Sequence, residues 1–223
     1  MILEITSPMW NEIFNGIFQT LYMTLVSAFI AYLIGIPIGI LLNITAPNGI
    51  KQNKVVYSIL GTIVNILRSI PFILLAIFIT PLTRFIVGTS IGSTAMIIPL
   101  SLSAAPFVGR MIESSLNEVD TGKIEAAKAM GSSDKTIIFK VLLGEAKPSL
   151  IVGAAIAVAT ILGYTAMAGF IAGGGLGDIA LRYGFYRYQT DVMLVALVIL
   201  VILVQILQEI GMFVAKKIDK RIK

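Results

Sequence analysis

The chain has 223 residues, of which 57% are hydrophobic and 13% are charged, and its net charge is +5. Soluble domains carry about a quarter charged residues, so this composition argues against a soluble enzyme and equally against a disordered chain. The sequence contains neither cysteine nor histidine, which excludes disulfides and removes the commonest metal ligand and proton shuttle.

Five apolar stretches are long enough to cross a bilayer, which takes about 20 mostly apolar residues in a helix. The predicted fold is therefore an all-α, polytopic membrane protein with five transmembrane helices. Residues 1–16 contain Glu4 and Glu12 but no Lys or Arg, unlike the basic start of a secretory signal. Residues 8–16 form either a short interfacial helix or an extension of the first span. The predicted spans are 17–44, 55–79, 91–111, 150–171 and 192–214.

The basic residues predict the orientation of the chain. Thirteen of the 17 Lys and Arg residues lie after span one, at the end of span three or in the connection that follows it, or in the C-terminal tail. Cytoplasmic connections are enriched in Lys and Arg, so the N-terminus is predicted outside and the C-terminus in the cytoplasm. The thirteen are Lys51, Lys54, Arg110, Lys123, Lys128, Lys135, Lys140, Lys147, Lys216, Lys217, Lys220, Arg221 and Lys223; the opposite side receives Arg84, Arg182 and Arg187.

A polar cytoplasmic insertion at 112–148 separates spans three and four. Its pattern predicts two short helices with a break at Gly131, the first capped by Asp120 or Thr121. A helix this short is marginal in water, so its apolar face needs support from the chain's own spans or from a groove on a partner. The residues predicted on that face are Ile124, Ala127 and Met130.

One run within the insertion carries a family resemblance. Glu-Ala-Ala at 125–127, followed by Gly131 after three residues, resembles the EAA loop of ABC importer permeases. Val141 and Leu143 fit the family's later aliphatic positions, whereas Gly144 stands where the family usually has proline. Further segments resemble the permeases of the methionine importer subfamily: 68–72, 87–92, 104–107, 163–169 and 173–177.

This resemblance implies a type I importer in the prokaryotic inner membrane, with residues 1–223 as one transmembrane permease domain. It implies two copies of this chain, two cytoplasmic ABC ATPase subunits and an extracytoplasmic methionine-binding protein. The segment 131–136 lacks the spacing of a phosphate-binding loop, so ATP hydrolysis is expected on a partner chain. Glu125 is expected to pair with a basic residue of that partner or with Lys128. The residues implied in coupling to the ATPase are Glu125, Ala126, Ala127, Met130 and Gly131.

Two regions are candidates for the translocation path. Arg68 and Ser69 precede Pro71, which breaks the helix, and a cation at mid-bilayer costs about 2.5–3.5 kcal/mol. Arg68 therefore either lines the path or clamps the broken helix; Glu209 is the only acidic residue in a predicted span.

In span four, Tyr164 and Met167 interrupt a run of small residues. Small residues permit close helix packing. Met167 is predicted to form a hydrophobic gate with its mate in the second copy; the alternative is a methionine in the core or facing lipid. The Gly- and Tyr-rich connection 172–191 is either a landing surface for the binding protein or a membrane-interface anchor.

Three other functions compete with methionine import. The chain would serve another small solute if the binding protein selected one. A secondary transporter or channel is disfavoured by the scarcity of ionisable groups within the spans. An intramembrane enzyme is disfavoured because the spans hold no Ser/His, Cys/His or paired-Asp arrangement. We expect no catalytic residue, no cofactor, no metal and no nucleic-acid partner.

Overall fold

A computed structural model describes residues 7–219 of the chain, with side chains described from Pro8 onward. Within these residues the regular structure is entirely helical. Glu4, Lys220, Arg221 and Lys223 lie outside the described residues. The helices are α1 Ser7–Thr45, α2 Lys54–Ser69, α3 Phe72–Phe78, α4 Thr80–Val87, α5 Ser93–Asn117, α6 Thr121–Ala129, α7 Asp134–Thr136, α8 Leu143–Glu145, α9 Lys147–Ala168, α10 Gly175–Ile179 and α11 Thr190–Ile218.

Tighter and wider helical turns join several of these helices. A π-helix, Ile137–Leu142, links α7 to α8, and a second one, Ala180–Phe185, follows α10. A single 3₁₀ turn, Gly169–Ile171, continues α9.

Within residues 7–219, four helices are long and apolar enough to cross a membrane, and the pair α2 and α3 forms a fifth span if it is counted as one broken helix. The prediction of an all-α protein with five spans is thus confirmed. Which terminus faces the cytoplasm stays a prediction. The four unbroken candidates are Pro8–Thr45, Ser93–Asn117, Lys147–Ile171 and Thr190–Ile218.

The first helix is longer than predicted. α1 runs without interruption from Ser7, so residues 8–16 extend the first span and the interpretation as a separate interfacial helix is wrong. The reason is packing: Ile13 is 1% exposed and belongs to a buried cluster with Leu176, Ile179 and Val192. The segment is therefore held by its own buried face rather than only by a membrane surface.

The break in the second span lies where proline predicts it. α2 ends at Ser69, and Pro71 adopts an extended backbone with φ −59° and ψ 133° before α3 begins at Phe72. The Ser69 hydroxyl donates a 2.8 Å hydrogen bond to the carbonyl oxygen of Asn65. This bond to the carbonyl one turn back keeps the serine hydroxyl paired at the end of the helix.

The third span also extends beyond its predicted end. α5 continues to Asn117, so the polar insertion begins near residue 118 rather than 112. Ile112 and Leu116 are at most 2% exposed, and their burial carries the helix past the predicted boundary. Glu113 consequently lies within this helix, and the prediction that Glu209 is the only acidic residue in a span is wrong.

The chain divides into two compact units, each assembled from three segments. Among the described residues, the first comprises 7–30, Ile70–Ala104 and Val158–Gln208, and the second comprises Ala31–Ser69, Ala105–Ala157 and 209–219. The second unit therefore contains α2 and the whole polar insertion. A buried cluster of the first unit consists of Met23, Phe72, Ala76, Ala95, Met96, Leu100 and Ala168.

Candidate coupling and translocation sites

Local hydrogen bonds set both ends of the EAA-loop helix, α6. The carboxylate of Asp120 accepts a 2.8 Å hydrogen bond from the backbone N–H of Gly122 at the start of the helix. At its end, Gly131 N–H bonds the carbonyl of Lys128 at 2.9 Å and Ser132 N–H bonds that of Ala127 at 3.0 Å. This is a Schellman motif, with Gly131 in the left-handed conformation at φ +74°. The predicted cap and the predicted break are both confirmed.

One face of α6 packs on its own chain. Ala127 is 4% exposed, and Ile124 lines a cavity of about 350 Å³ together with Leu116 and Leu142. Met130 does not share this face, contrary to the prediction, and is 79% exposed. The helix ends at Ala129, so Met130 occupies the capping position, where the chain turns away from the helical arrangement.

The outward side of α6 carries an acidic residue without an ion-pair partner in the described chain. Glu125, Ala126 and Met130 are all exposed. Among residues 7–219, the carboxylate of Glu125 forms no salt bridge, and the pairing with Lys128 is not present. The neighbouring Lys123 instead pairs with Glu145 on α8. Exposed pairs of this kind contribute about 0–1 kcal/mol, so burial of Ala127 anchors the helix more than charge does.

The helical segment after Gly131 is also set by its sequence. The hydroxyl of Ser133 accepts a hydrogen bond from Thr136 N–H at 3.3 Å and so caps α7. In the π-helix that follows, Ile137 and Leu142 are each 1% exposed. Gly144 lies inside the short helix α8, and a Cβ placed there would meet no atom within 4 Å.

On α2, the path candidates Arg68 and Ser69 belong to a polar strip exposed in the single chain. The strip follows a helical repeat along one side of the helix, and this helix belongs to a candidate membrane span. The Arg68 guanidinium lies 6.0 Å from the ring centre of Phe107, and no carboxylate of residues 7–219 pairs with it. The hydroxyl of Ser69, rather than the guanidinium of Arg68, bonds a backbone carbonyl at this end of α2. The polar strip consists of Ser58, Thr62, Asn65, Arg68 and Ser69.

The other path candidates lie in the first unit. Pro71 precedes α3, whose first residue, Phe72, stacks on Tyr164 of α9 with ring centres 5.2 Å apart and planes 1° from parallel. Tyr164 is half-buried beside the Phe72 cluster, so its ring packs α9 against α3. Met167 is 46% exposed, and Gly163 of α9 and Phe170 of the following 3₁₀ turn are exposed as well.

Comparison with known proteins identifies the family. Residues 35–223 match the family described as "Binding-protein-dependent transport system inner membrane component". The chain belongs to this family. As an inner membrane component, it is a multi-pass transport subunit rather than an enzyme, as predicted from its EAA loop.

Individual relatives of this inner membrane component are similar to it in sequence and in structure. It is 48% identical over 181 residues to the probable D-methionine transport system permease protein MetI of Vibrio cholerae, covering 81% of this chain and 80% of the relative. It is 45% identical over 181 residues to the methionine import system permease protein MetP of Bacillus subtilis, covering 81% and 82%. A solved chain of the inward-facing MetNI methionine ABC transporter matches with a TM-score of 0.95 at 46% identity, covering 96% of this chain and 100% of that chain.

A buried ion pair of this inner membrane component was missed by the sequence reasoning. Arg110, which was assigned to the cytoplasmic connection, lies within α5, and its Nη1 donates to the Glu113 carboxylate at 2.7 Å. Its Nη2 donates to the Gly61 carbonyl and to Asn65 Oδ1 on α2, each at 3.0 Å. The ion pair could have been predicted from two opposite charges three residues apart in an apolar helix. The contacts with α2 could not, because their residues are distant in the sequence.

A second polar cluster joins the start of α1 to the segment after α10. The carboxylate of Glu12 accepts hydrogen bonds from the Tyr183 hydroxyl at 2.8 Å and from Arg182 at 3.2 Å. Arg182 also pairs with Asp178 at 3.3 Å, and the guanidinium of Arg187 lies 4.8 Å from the Tyr183 ring centre. The hydrogen bond to Glu12, followed by partial desolvation, raises the pKa of Tyr183 above its ordinary value of 10.0.

Proposed function

We propose that this chain is the membrane-spanning subunit of an ATP-driven methionine importer. Two copies would work with two cytoplasmic ABC ATPases and an extracytoplasmic methionine-binding protein, with residues 1–223 acting as one domain and the C-terminus in the cytoplasm. The observation that carries the proposal is the match to the MetNI transporter chain, which extends over 96% of this chain at 46% identity. At that identity the likeness supports function as well as fold.

The ATPase contact is assigned to the outward side of α6. Glu125, Ala126 and Met130 are exposed there, and Gly131 turns the chain at the end of the helix. A thioether side chain that is 79% exposed on a polar insertion gains free energy when a groove covers it. Ala127 takes the supporting role instead, because it is already buried against its own chain.

The solute path is assigned to the polar strip of α2. Exposed polar side chains at membrane depth are stable only beside protein or water, and an arginine among them marks a functional surface. Arg68 lies one residue before the end of α2, next to the break at Pro71. A strip that ends in a fixed cation suits a solute that carries a carboxylate, as an amino acid does.

The extracytoplasmic partner is assigned to the segment 172–191. Tyr186 and Tyr188 are 66% and 89% exposed there, and Tyr188 adopts a positive φ of 57°. The cluster around Glu12 and Arg182 fixes the base of this segment. Exposed tyrosines beside arginines are typical of protein interfaces, and anchoring at the membrane surface is the alternative.

The proposed function is tested by reconstitution into proteoliposomes with a candidate ATPase and binding protein. We expect ATP turnover and solute uptake to be stimulated by L- or D-methionine and not by amino acids of other side-chain classes. Stimulation by a different solute alone would contradict the methionine assignment. Uptake by the isolated chain without ATP would instead support a secondary transporter.

The gate hypothesis gives a separate prediction for Met167. Replacing it with alanine shortens the side chain on the outward side of α9, so we expect methionine to leak several-fold faster from loaded proteoliposomes without ATP. Leu194→Ala is the matched control, because it truncates an apolar side chain that is 58% exposed on α11. Equal leak rates and unchanged ATP coupling in Met167→Ala would remove the gate hypothesis.

A further inference from the structure

The strongest unassigned feature is the ion pair in α5. The side chains of Arg110 and Glu113 are 20% and 7% exposed, and both lie in a candidate membrane span. Burying an ionisable group at such a position costs free energy. Ionisable groups within membrane spans therefore commonly mark functional sites. Glu113 neutralises the guanidinium through a single 2.7 Å contact, which leaves other donors of Arg110 free to bind elsewhere.

Those donors reach α2. Nη2 of Arg110 bonds the backbone carbonyl of Gly61 and the side-chain oxygen of Asn65, one helical turn apart. A Cβ at Gly61 would lie 3.1 Å from Nη2, so the glycine leaves room for the guanidinium to reach the backbone. One bond to the backbone and one to a side chain on the same side of α2 restrict both sliding and rotation of that helix.

This contact lies between the two proposed sites, the solute path on α2 and the ATPase-binding surface on α6. Asn65 belongs to the polar strip of α2, three residues before Arg68. Arg110 lies on α5, which ends at Asn117. Only two residues separate that end from Asp120, the N-cap of α6. The contact is therefore the polar connection between the helix that precedes the ATPase-binding surface and the helix that carries the proposed path.

We propose that Arg110 is a positioning residue that, with Glu113, latches α2 to α5. A displacement of α6 on ATP binding is then passed along α5 and moves the polar strip of α2 with it. This inference rests on the proposed function, because it assumes that α6 binds the ATPase. Arg110 touches no solute in this scheme and acts only through the orientation of α2.

The latch is tested first by a distance measurement that needs no solute. The natural chain has no cysteine, so Ile59→Cys on α2 and Ser114→Cys on α5, both exposed, place one spin label on each helix. In the assembled ATPase complex, we expect the same label-to-label distance without nucleotide and with ATP and vanadate. Adding Arg110→Gln should broaden the distance distribution or shift it between the two states.

Arg84→Gln is the matched control for this measurement, since it removes an exposed arginine of α4 that has no part in the latch. Arg110→Lys keeps the charge paired with Glu113 and should restore part of the native distribution. An unchanged distribution in Arg110→Gln, in both nucleotide states, would overturn the latch. So would a label distance that already differs between the two states in the chain with native Arg110.

A second measurement separates the latch from a purely structural role. We expect Arg110→Gln and Asn65→Leu to lower the methionine transported per ATP hydrolysed about fivefold or more while ATP hydrolysis continues. Because both act on one contact, the double variant should be no worse than Arg110→Gln alone. Asn65 also belongs to the proposed solute path, so if Arg110→Gln folds poorly, the spin-label distances in Asn65→Leu, which need no solute, decide instead.

The outcomes distinguish this inference from the proposed function. An unchanged ratio, with only less assembled complex, would mean that the contact is structural and would overturn the latch. A native complex that fails to transport methionine would contradict the proposed function instead. In that case the spin-label distances still decide whether α2 and α5 move together.

Discussion

Exchange of Glu125 for lysine should abolish stable binding of the ATPase and, with it, ATP-driven uptake. Glu125 is exposed on α6 and has no ion-pair partner among residues 7–219, so its charge is available to a partner. Reversal of an interfacial charge costs about 2–5 kcal/mol, which corresponds to a Kd weakened roughly thirtyfold or more. The measurement is copurification of the tagged chain with the ATPase, followed by uptake in proteoliposomes.

The matched control is Glu118→Lys, which makes the same charge change at an exposed position of the insertion outside α6. A second variant, Gly131→Val, should also weaken binding, because a β-branched residue at φ +74° costs about 1–2 kcal/mol and disturbs the turn beside Met130. A Cβ at this position meets no atom within 4 Å, so strain rather than collision is the cause. Full copurification of Glu125→Lys would remove α6 as the ATPase contact.

Gly177→Ala should produce a large loss of stability. A Cβ at Gly177 would lie 2.3 Å from the carbonyl oxygen of Ala166, and one at Gly169 would lie 2.5 Å from the carbonyl carbon of Gly177. These are backbone atoms of α10 and of the end of α9, which cannot move aside as a flexible side chain can. Overpacking of this kind costs about 1–3 kcal/mol, or roughly 3–10 °C in apparent Tm for a chain of this size.

Gly144→Ala is the paired control for that variant. Gly144 is helical and its surroundings are open, so alanine should leave the apparent Tm unchanged or raise it slightly through its better helix propensity. Thermal unfolding of both purified variants in the same detergent measures the difference. Equal Tm values for Gly177→Ala and Gly144→Ala would contradict the close approach of the backbones at Gly177.

Sequence patterns predicted this fold well where the governing interactions are local. Long apolar runs predicted the spans, Pro71 predicted the break, and Asp120 and Gly131 predicted the ends of α6. Helix boundaries were less accurate, because they depend on tertiary burial. Ile13 and Ile112 extend their helices by packing against residues distant in the sequence.

The candidate site was only partly predictable for the same reason. Arg110 was assigned to a cytoplasmic connection when the basic residues were counted. Its partners Gly61 and Asn65 are distant in the sequence, so no neighbouring residue predicts their contact with it. The spacing of Ile124, Ala127 and Met130 placed Met130 on the buried face, although the helix ends one residue earlier. The roles proposed for Met167 and Glu125 depend on other subunits and stay predictions.

The length of α1 makes its position in the membrane depend on the thickness of the bilayer. Its 39 residues extend for about 58 Å at 1.5 Å per residue, nearly twice the thickness of a typical hydrocarbon layer. A helix of this length must lean, bend or protrude, and the bilayer must adjust to it by an amount that depends on acyl-chain length. Varying the acyl-chain length of the surrounding phospholipids should therefore change the tilt of the first helix without any mutation.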